Sequence, residues 1–121
     1  MIPRLLRPEA SRAALAALIY YLALLSLSTI PGTSLPPSDL PGLDKLIHLT
    51  LYAGLGWLLA GTHWPTPILL ALALCAGAMD ELYQLITPGR QASLGDWLAD
   101  ALGSFTGIWI RQKLAPPRPS P

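Results

Sequence analysis

The sequence predicts an all-α fold: an integral membrane bundle of four transmembrane helices, both termini cytoplasmic, in one domain over residues 1–121. Three observations carry that expectation. The 121-residue chain is 52% hydrophobic and only 12% charged, where a soluble domain typically carries about 25% charge. Its mean hydropathy is positive, at +0.46. Its apolar stretches are divided by Pro- and Gly-rich breaks, with no strand-like alternation between them.

The first helix is expected over 13–30. Ala13 to Ile30 has no charge, is apolar all round, and is bounded by Arg12 and Pro31. The basic residues before it would also suit a signal peptide, but Ser26 and Ser28 offer only a loose cleavage site. The run is therefore read as a retained span. Pro31 to Leu43 holds four prolines and two glycines and reads as a loop. The second helix is expected over 44–60, with Asp44 capping its N-terminus. Gly61 to Pro67 is a tight turn, where Trp64 fits a water–lipid boundary and His63 faces solvent.

The third helix is expected over 68–86, broken by Thr87-Pro88-Gly89-Arg90. The fourth is expected over 93–114, where Ser93-x-x-Asp96 matches a capping box with Asp in place of Glu or Gln. Residues 115–121 form a Pro-rich tail, extended or disordered. Only the first run meets the test of about 18 uninterrupted apolar residues. The other helices rest on length and bounding turns.

Basic residues set the orientation. Four spans place Arg4, Arg7, Arg12, Arg111, Lys113 and Arg118 on one side and only Lys45 and Arg90 on the other. The termini are thus expected in the cytoplasm. Six of the seven acids fall in the outer half. A net charge of +1 argues against a nucleic-acid partner. The single cysteine, Cys75, cannot form an intrachain disulfide and reads as a small buried apolar residue.

Carboxylates at a helix centre in lipid cost roughly 2.5–3.5 kcal/mol each on insertion scales. Asp80, Glu81, Asp96 and Asp100 nonetheless lie inside or at the start of apolar helical stretches. Helical rise puts Asp80 roughly 9 Å from the outer end of the third helix and Asp100 about 10 Å into the fourth. Asp44, His48 and Tyr52 form an i, i+4, i+8 stripe on the second helix. Glu81 and Gln84 are i, i+3, and Ser93, Asp96, Asp100, Gly103 and Gly107 share a stripe on the last helix. Three helices therefore offer polar groups at one shallow depth. The simplest assembly turns them toward a single outward-facing pocket.

Two motifs sharpen this picture. Asp44-Lys45-x-x-His48-x-x-x-Tyr52 resembles the first signature of the VanZ-like membrane proteins, a family named for a teicoplanin-resistance protein. Glu81-x-x-Gln84-x-x-x-Pro88-x-Arg90-x-x-Ser93-x-x-Asp96 resembles the second, in the right order. The resemblance covers about residues 15 to 112 and departs at Asp100, where the family commonly has Asn. It implies an integral membrane protein of the bacterial cell envelope, located in the cytoplasmic membrane and linked to glycopeptide resistance. It implies no known reaction.

The candidate pocket comprises Asp44, Lys45, His48, Tyr52, Glu81, Gln84, Arg90, Ser93, Asp96 and Asp100. Its expected partner is a membrane lipid or lipid-linked ligand. Lys45 and Arg90 suit a phosphate or carboxylate, or neutralise neighbours such as Glu81 and Asp96. Asp80, Glu81, Asp96 and Asp100 are the residue types that hold a divalent cation. With His48 the only nitrogen ligand, they read instead as a hydrogen-bond network, with no metal and no cofactor. An alternative is a membrane enzyme acting on a lipid headgroup or lipid-linked cell-wall precursor, with His48 or Glu81 carrying the proton. No catalytic motif supports it, and the reading leans against an enzyme. Tyr20, Tyr21, Trp57, Trp97 and Trp109 read as lipid-facing or interfacial anchors. Gly103-x-x-x-Gly107 is the surface a second copy of the chain would use.

Overall fold

A computed structural model describes residues 7–37 and 39–116. Arg4, Arg118 and the tail beyond residue 116 lie outside them. Among the described residues the fold is all-α, with four long helices and no strand. Helix α1 runs Pro8–Ser28, α2 Leu43–Ala60, α3 Thr66–Ile86 and α4 Leu94–Leu114, with a 3₁₀ turn at Gly32–Ser34. The first helix starts earlier than the apolar run suggests because Pro8 sits in its first turn, where a missing N–H costs nothing. Pro67 does the same for α3.

The α2 N-terminus departs from expectation. Its cap position is Gly42, left-handed at φ 77°, and no side chain caps the helix. Asp44 lies in the first turn rather than at the cap position. Its carboxylate pairs with Lys45 at 3.2 Å.

Helices α2 and α4 make the closest contact in the bundle. Their backbones touch because glycines on each helix face the backbone of the other. A Cβ on Gly103 would strike the Leu49 carbonyl, one on Gly107 the Ala53 carbonyl, and one on Gly56 the Ser104 carbonyl. The Ser104 hydroxyl donates to the Tyr52 carbonyl across the same seam at 3.3 Å. Gly103 and Gly107 thus let α2 approach α4 within the chain.

Helix α1 lies against α2 and α3. Its tyrosines hold it there. Tyr20 donates to the Leu51 carbonyl at 2.8 Å and Tyr21 to the Ala76 carbonyl at 3.3 Å. Trp97 likewise donates from Nε1 to the Leu74 carbonyl at 3.1 Å. These three half-buried aromatics are clamps between helices rather than lipid-facing anchors, whereas Trp57 and Trp109 are exposed. Cys75 is exposed too, not buried; it lines an open apolar groove shared with Ala14, Leu18 and Tyr21 of α1.

Helices α1 and α3 are long and apolar enough to cross a membrane; α2 and α4, which carry more polar residues, do not meet that test. The apolar surface is turned outward. Leu15, Leu18, Ile19 and Leu22 on α1, Leu82, Leu85 and Ile86 on α3, and Leu94, Leu98 and Leu102 on α4 are all exposed.

Candidate functional site

The antiparallel order of the helices brings the C-terminal end of α1, the N-terminal half of α2, the C-terminal half of α3 and the N-terminal half of α4 to one end of the bundle. The two loops there touch. Gly32 donates its N–H to the Pro88 carbonyl at 2.9 Å. Gly89, left-handed at φ 72°, lets the chain turn at that contact.

Buried polar side chains gather beneath these loops. Asp80, Glu81, Gln84, Asp96 and Asp100 are all buried, Asp100 completely. His48 Nδ1 lies 2.8 Å from Asp100 Oδ1, and its Nε2 lies 4.0 Å from Asp96 Oδ2. Asp80 Oδ1 accepts from the Ser28 hydroxyl of α1. Glu81 Oε2 accepts the Ser93 N–H at 2.6 Å. Gly77 lies one turn before Asp80 and Glu81, and a Cβ there would come within 3.2 Å of Asp100 Oδ2. Its bare backbone therefore lets Asp100 of α4 close on α3.

Each cation has a definite job. Lys45 bridges Asp44 and Asp96, at 3.2 Å to each, joining α2 to α4. Arg90 reaches neither Glu81 nor Asp96. Its Nε donates to the Ile30 carbonyl and its Nη2 to the Leu27 carbonyl, both at 3.0 Å. These are carbonyls at the C-terminal end of α1, where a helix welcomes positive charge. Arg90 therefore staples through a helix end rather than through a carboxylate.

The capping box is only half realised. Ser93 Oγ accepts from the Asp96 N–H at 3.2 Å. The Ser93 N–H, which the box would assign to Asp96, goes to Glu81 instead. That exchange frees the Asp96 carboxylate for Lys45. Tyr52 is buried with its hydroxyl 3.4 Å from the Ala76 carbonyl.

A cavity of about 300 Å³ opens beside these groups, between α1, α2 and α3. His48, Asp80, Gln84 and Arg90 line one part of it; Leu24, Leu27, Leu35, Ile47 and Leu51 line the rest. It is amphipathic, with an acidic and basic floor under aliphatic walls.

A family profile described as VanZ/LLP1 matches residues 10–114, nearly the whole chain. The chain belongs to the VanZ/LLP1 family. No curated protein and no solved structure matches it.

In this VanZ/LLP1 protein the two signature segments meet at one end of the bundle. His48, Tyr52, Glu81, Gln84, Ser93, Asp96 and Asp100 are brought together there, whereas Asp44 stays on the rim, its side chain 61% exposed. The sequence pattern missed the contribution of α1. Ser28 donates to Asp80, and its carbonyl accepts from the Thr87 hydroxyl at 2.9 Å. The only signal was a buried-capable Ser at the end of an apolar run, and nothing in the spacing tied it to Asp80, more than fifty residues away.

Proposed function

We propose that this VanZ/LLP1 protein is an integral membrane protein of the bacterial cytoplasmic membrane whose polar pocket binds a lipid or lipid-linked ligand. All four helices span, the termini are cytoplasmic, and the pocket opens outward. The outward apolar surface supports the spanning arrangement. Only 17% of the most apolar window of α1 and 33% of that of α3 is buried, and a soluble core helix would hide far more. Among the described residues, Arg7, Arg12, Arg111 and Lys113 lie at the end opposite the pocket, against Lys45 and Arg90 beside it, as the positive-inside rule requires.

The amphipathic cavity carries the ligand reading. Aliphatic walls suit an acyl or prenyl chain, and His48, Gln84 and Arg90 suit a polar headgroup. A role in the cell-envelope response to glycopeptides such as teicoplanin follows from the family resemblance. The test is to fill the cavity. Ile47→Trp should deplete lipid that co-purifies with the protein, as read by mass spectrometry, while membrane protein level stays normal. A bound-lipid profile identical to bulk membrane in the unsubstituted protein would remove this reading.

A second reading is an enzyme acting on a lipid headgroup or lipid-linked cell-wall precursor. It draws on one observation, the 2.8 Å contact of His48 with the fully buried Asp100. That is how a carboxylate orients a histidine that moves a proton. Turnover of a labelled lipid extract by the purified protein, abolished in His48→Gln, would favour it over simple binding.

A further inference from the structure

Three buried acids sit at the polar end of the bundle with almost nothing to balance them. Asp80, Glu81 and Asp100 come from two helices and are 4%, 8% and 0% exposed. Lys45 is engaged by Asp44 and Asp96. Arg90 is engaged by the carbonyls of Leu27 and Ile30. Among the described residues, the one basic side chain in contact with these three acids is His48, at Asp100. Carboxylates sharing a buried site repel one another, and each ion costs several kcal/mol to desolvate without a partner.

The detail of the oxygens points further. Each acid has one oxygen anchored by a protein donor. Ser28 holds Asp80 Oδ1, the Ser93 N–H holds Glu81 Oε2, and His48 holds Asp100 Oδ1. The other oxygens of two of them, Glu81 Oε1 and Asp100 Oδ2, are buried and have no hydrogen-bond partner. A buried unpaired carboxylate oxygen calls for an explanation. Asp100 Oδ2 faces the Gly77 turn of α3, the helix that carries Asp80 and Glu81.

One ligand atom from each of His48, Asp80, Glu81 and Asp100 lies within 4.8 Å of all the others. Around an octahedral ion with bonds of about 2.1 Å, neighbouring ligand atoms are about 3 Å apart and opposite ones about 4.2 Å. The four side chains therefore already share one site, and they close on an ion by drawing the widest separations in from 4.8 Å to about 4.2 Å or less. The anchored oxygens then act as outer hydrogen bonds that aim the ligating ones.

We propose that His48, Asp80, Glu81 and Asp100 bind one divalent metal ion that accepts mixed nitrogen and oxygen ligands, such as Mn²⁺, Fe²⁺ or Zn²⁺. One imidazole with three carboxylates suits such ions. Mg²⁺ prefers oxygen and water and is reluctant to shed its hydration. The ion offsets two of the three negative charges and ties α2, α3 and α4 together at the pocket floor. This inference does not depend on what fills the aliphatic part of the cavity.

The full chain, purified in detergent and stripped with chelator, is titrated with Mn²⁺ and separately with Zn²⁺ and Mg²⁺. Metal content after gel filtration and the melting temperature are both read. The expected result is close to one Mn²⁺ or Zn²⁺ per chain, with a raised melting temperature and no such response to Mg²⁺. Asp100→Asn and Glu81→Gln keep shape and remove charge, and each should weaken binding by about tenfold or more, as lost metal-site contacts do. Asp44→Asn, outside the cluster, should bind as the unsubstituted protein does. With Mn²⁺ bound, pulsed electron paramagnetic resonance should show coupling to an imidazole nitrogen, and His48→Gln should abolish it. Failure to retain metal, undiminished binding by both acid variants, or nitrogen coupling that survives His48→Gln would overturn the proposal. If an acid variant fails to fold, the stoichiometry and nitrogen coupling still decide. Co-purified lipid is measured on the same samples. Metal without lipid sinks only the lipid reading, and lipid without metal sinks only this one.

Discussion

The two ends of the bundle handle charge in opposite ways. At the pocket end, acids are buried and only one of them meets a lysine or arginine: Lys45 joins Asp96 to the rim acid, and Arg90 serves the end of α1. At the other end, Arg111 lies over the Trp57 ring at 5.3 Å and donates to the Trp57 carbonyl at 2.9 Å, with no acid beside it among the described residues. Gln112 reaches Thr66 there at 3.1 Å. One end therefore concentrates negative charge inside the protein, and the other settles a cation on carbonyl and aromatic groups at its surface. The first is costly, and it sits beside the amphipathic cavity between α1, α2 and α3.

The largest effect should come from separating the helices that hold both ends together. Gly103→Leu drives a side chain into the Leu49 backbone. It should cost about 3 kcal/mol or more, the upper range for overpacking, seen as a large fall in the midpoint of thermal unfolding in detergent. A small effect would mean that the α2–α4 seam is looser than its glycine contacts indicate.

The next effects compare the ends directly. Arg90→Ala removes two hydrogen bonds to the end of α1 and should cost about 2 kcal/mol, the value for a well-placed cation at a helix C-terminus. Arg111→Ala removes one hydrogen bond and an exposed cation–π contact and should cost about 1 kcal/mol or less. Equal losses in denaturant titration would erase the distinction drawn between the ends. Ser93→Ala removes the cap of α4 and should cost about 1 kcal/mol. Because the Ser93 backbone N–H survives, the Glu81 contact should remain, and metal retention should change less than in Glu81→Gln. The smallest effect belongs to Asp44→Asn. Its pair with Lys45 is exposed, and such pairs contribute little, so the melting temperature should not move measurably.

Helix periodicity made much of this legible. The stripe from Asp44 to Tyr52, the Ser93 cap of α4 and the breaks at Pro31 and Thr87-Pro88 are all local matters of rise, rotation and backbone chemistry. Partner choice was legible only in part: Lys45 does neutralise Asp96 across helices, but other pairings were not. Arg90 could be matched on paper with Glu81 or Asp96, yet it meets carbonyls of α1. Asp44 could cap α2, but Gly42 takes that position. Tyr20, Tyr21 and Trp97 could face lipid, but each finds a carbonyl on another helix.

The sequence by itself determined four helices and a shallow layer of polar residues on three of them, because spacing along a helix fixes depth and face. Only the tertiary structure decided that His48 joins Asp80, Glu81 and Asp100 while Asp96 turns to Lys45. It also brought Ser28 of α1 into the layer. The physical reason is that such pairings depend on how far each helix is rotated and how closely the backbones approach. Those quantities are set by glycine contacts such as Gly103 with Leu49 and Gly77 with Asp100, which join residues remote in sequence.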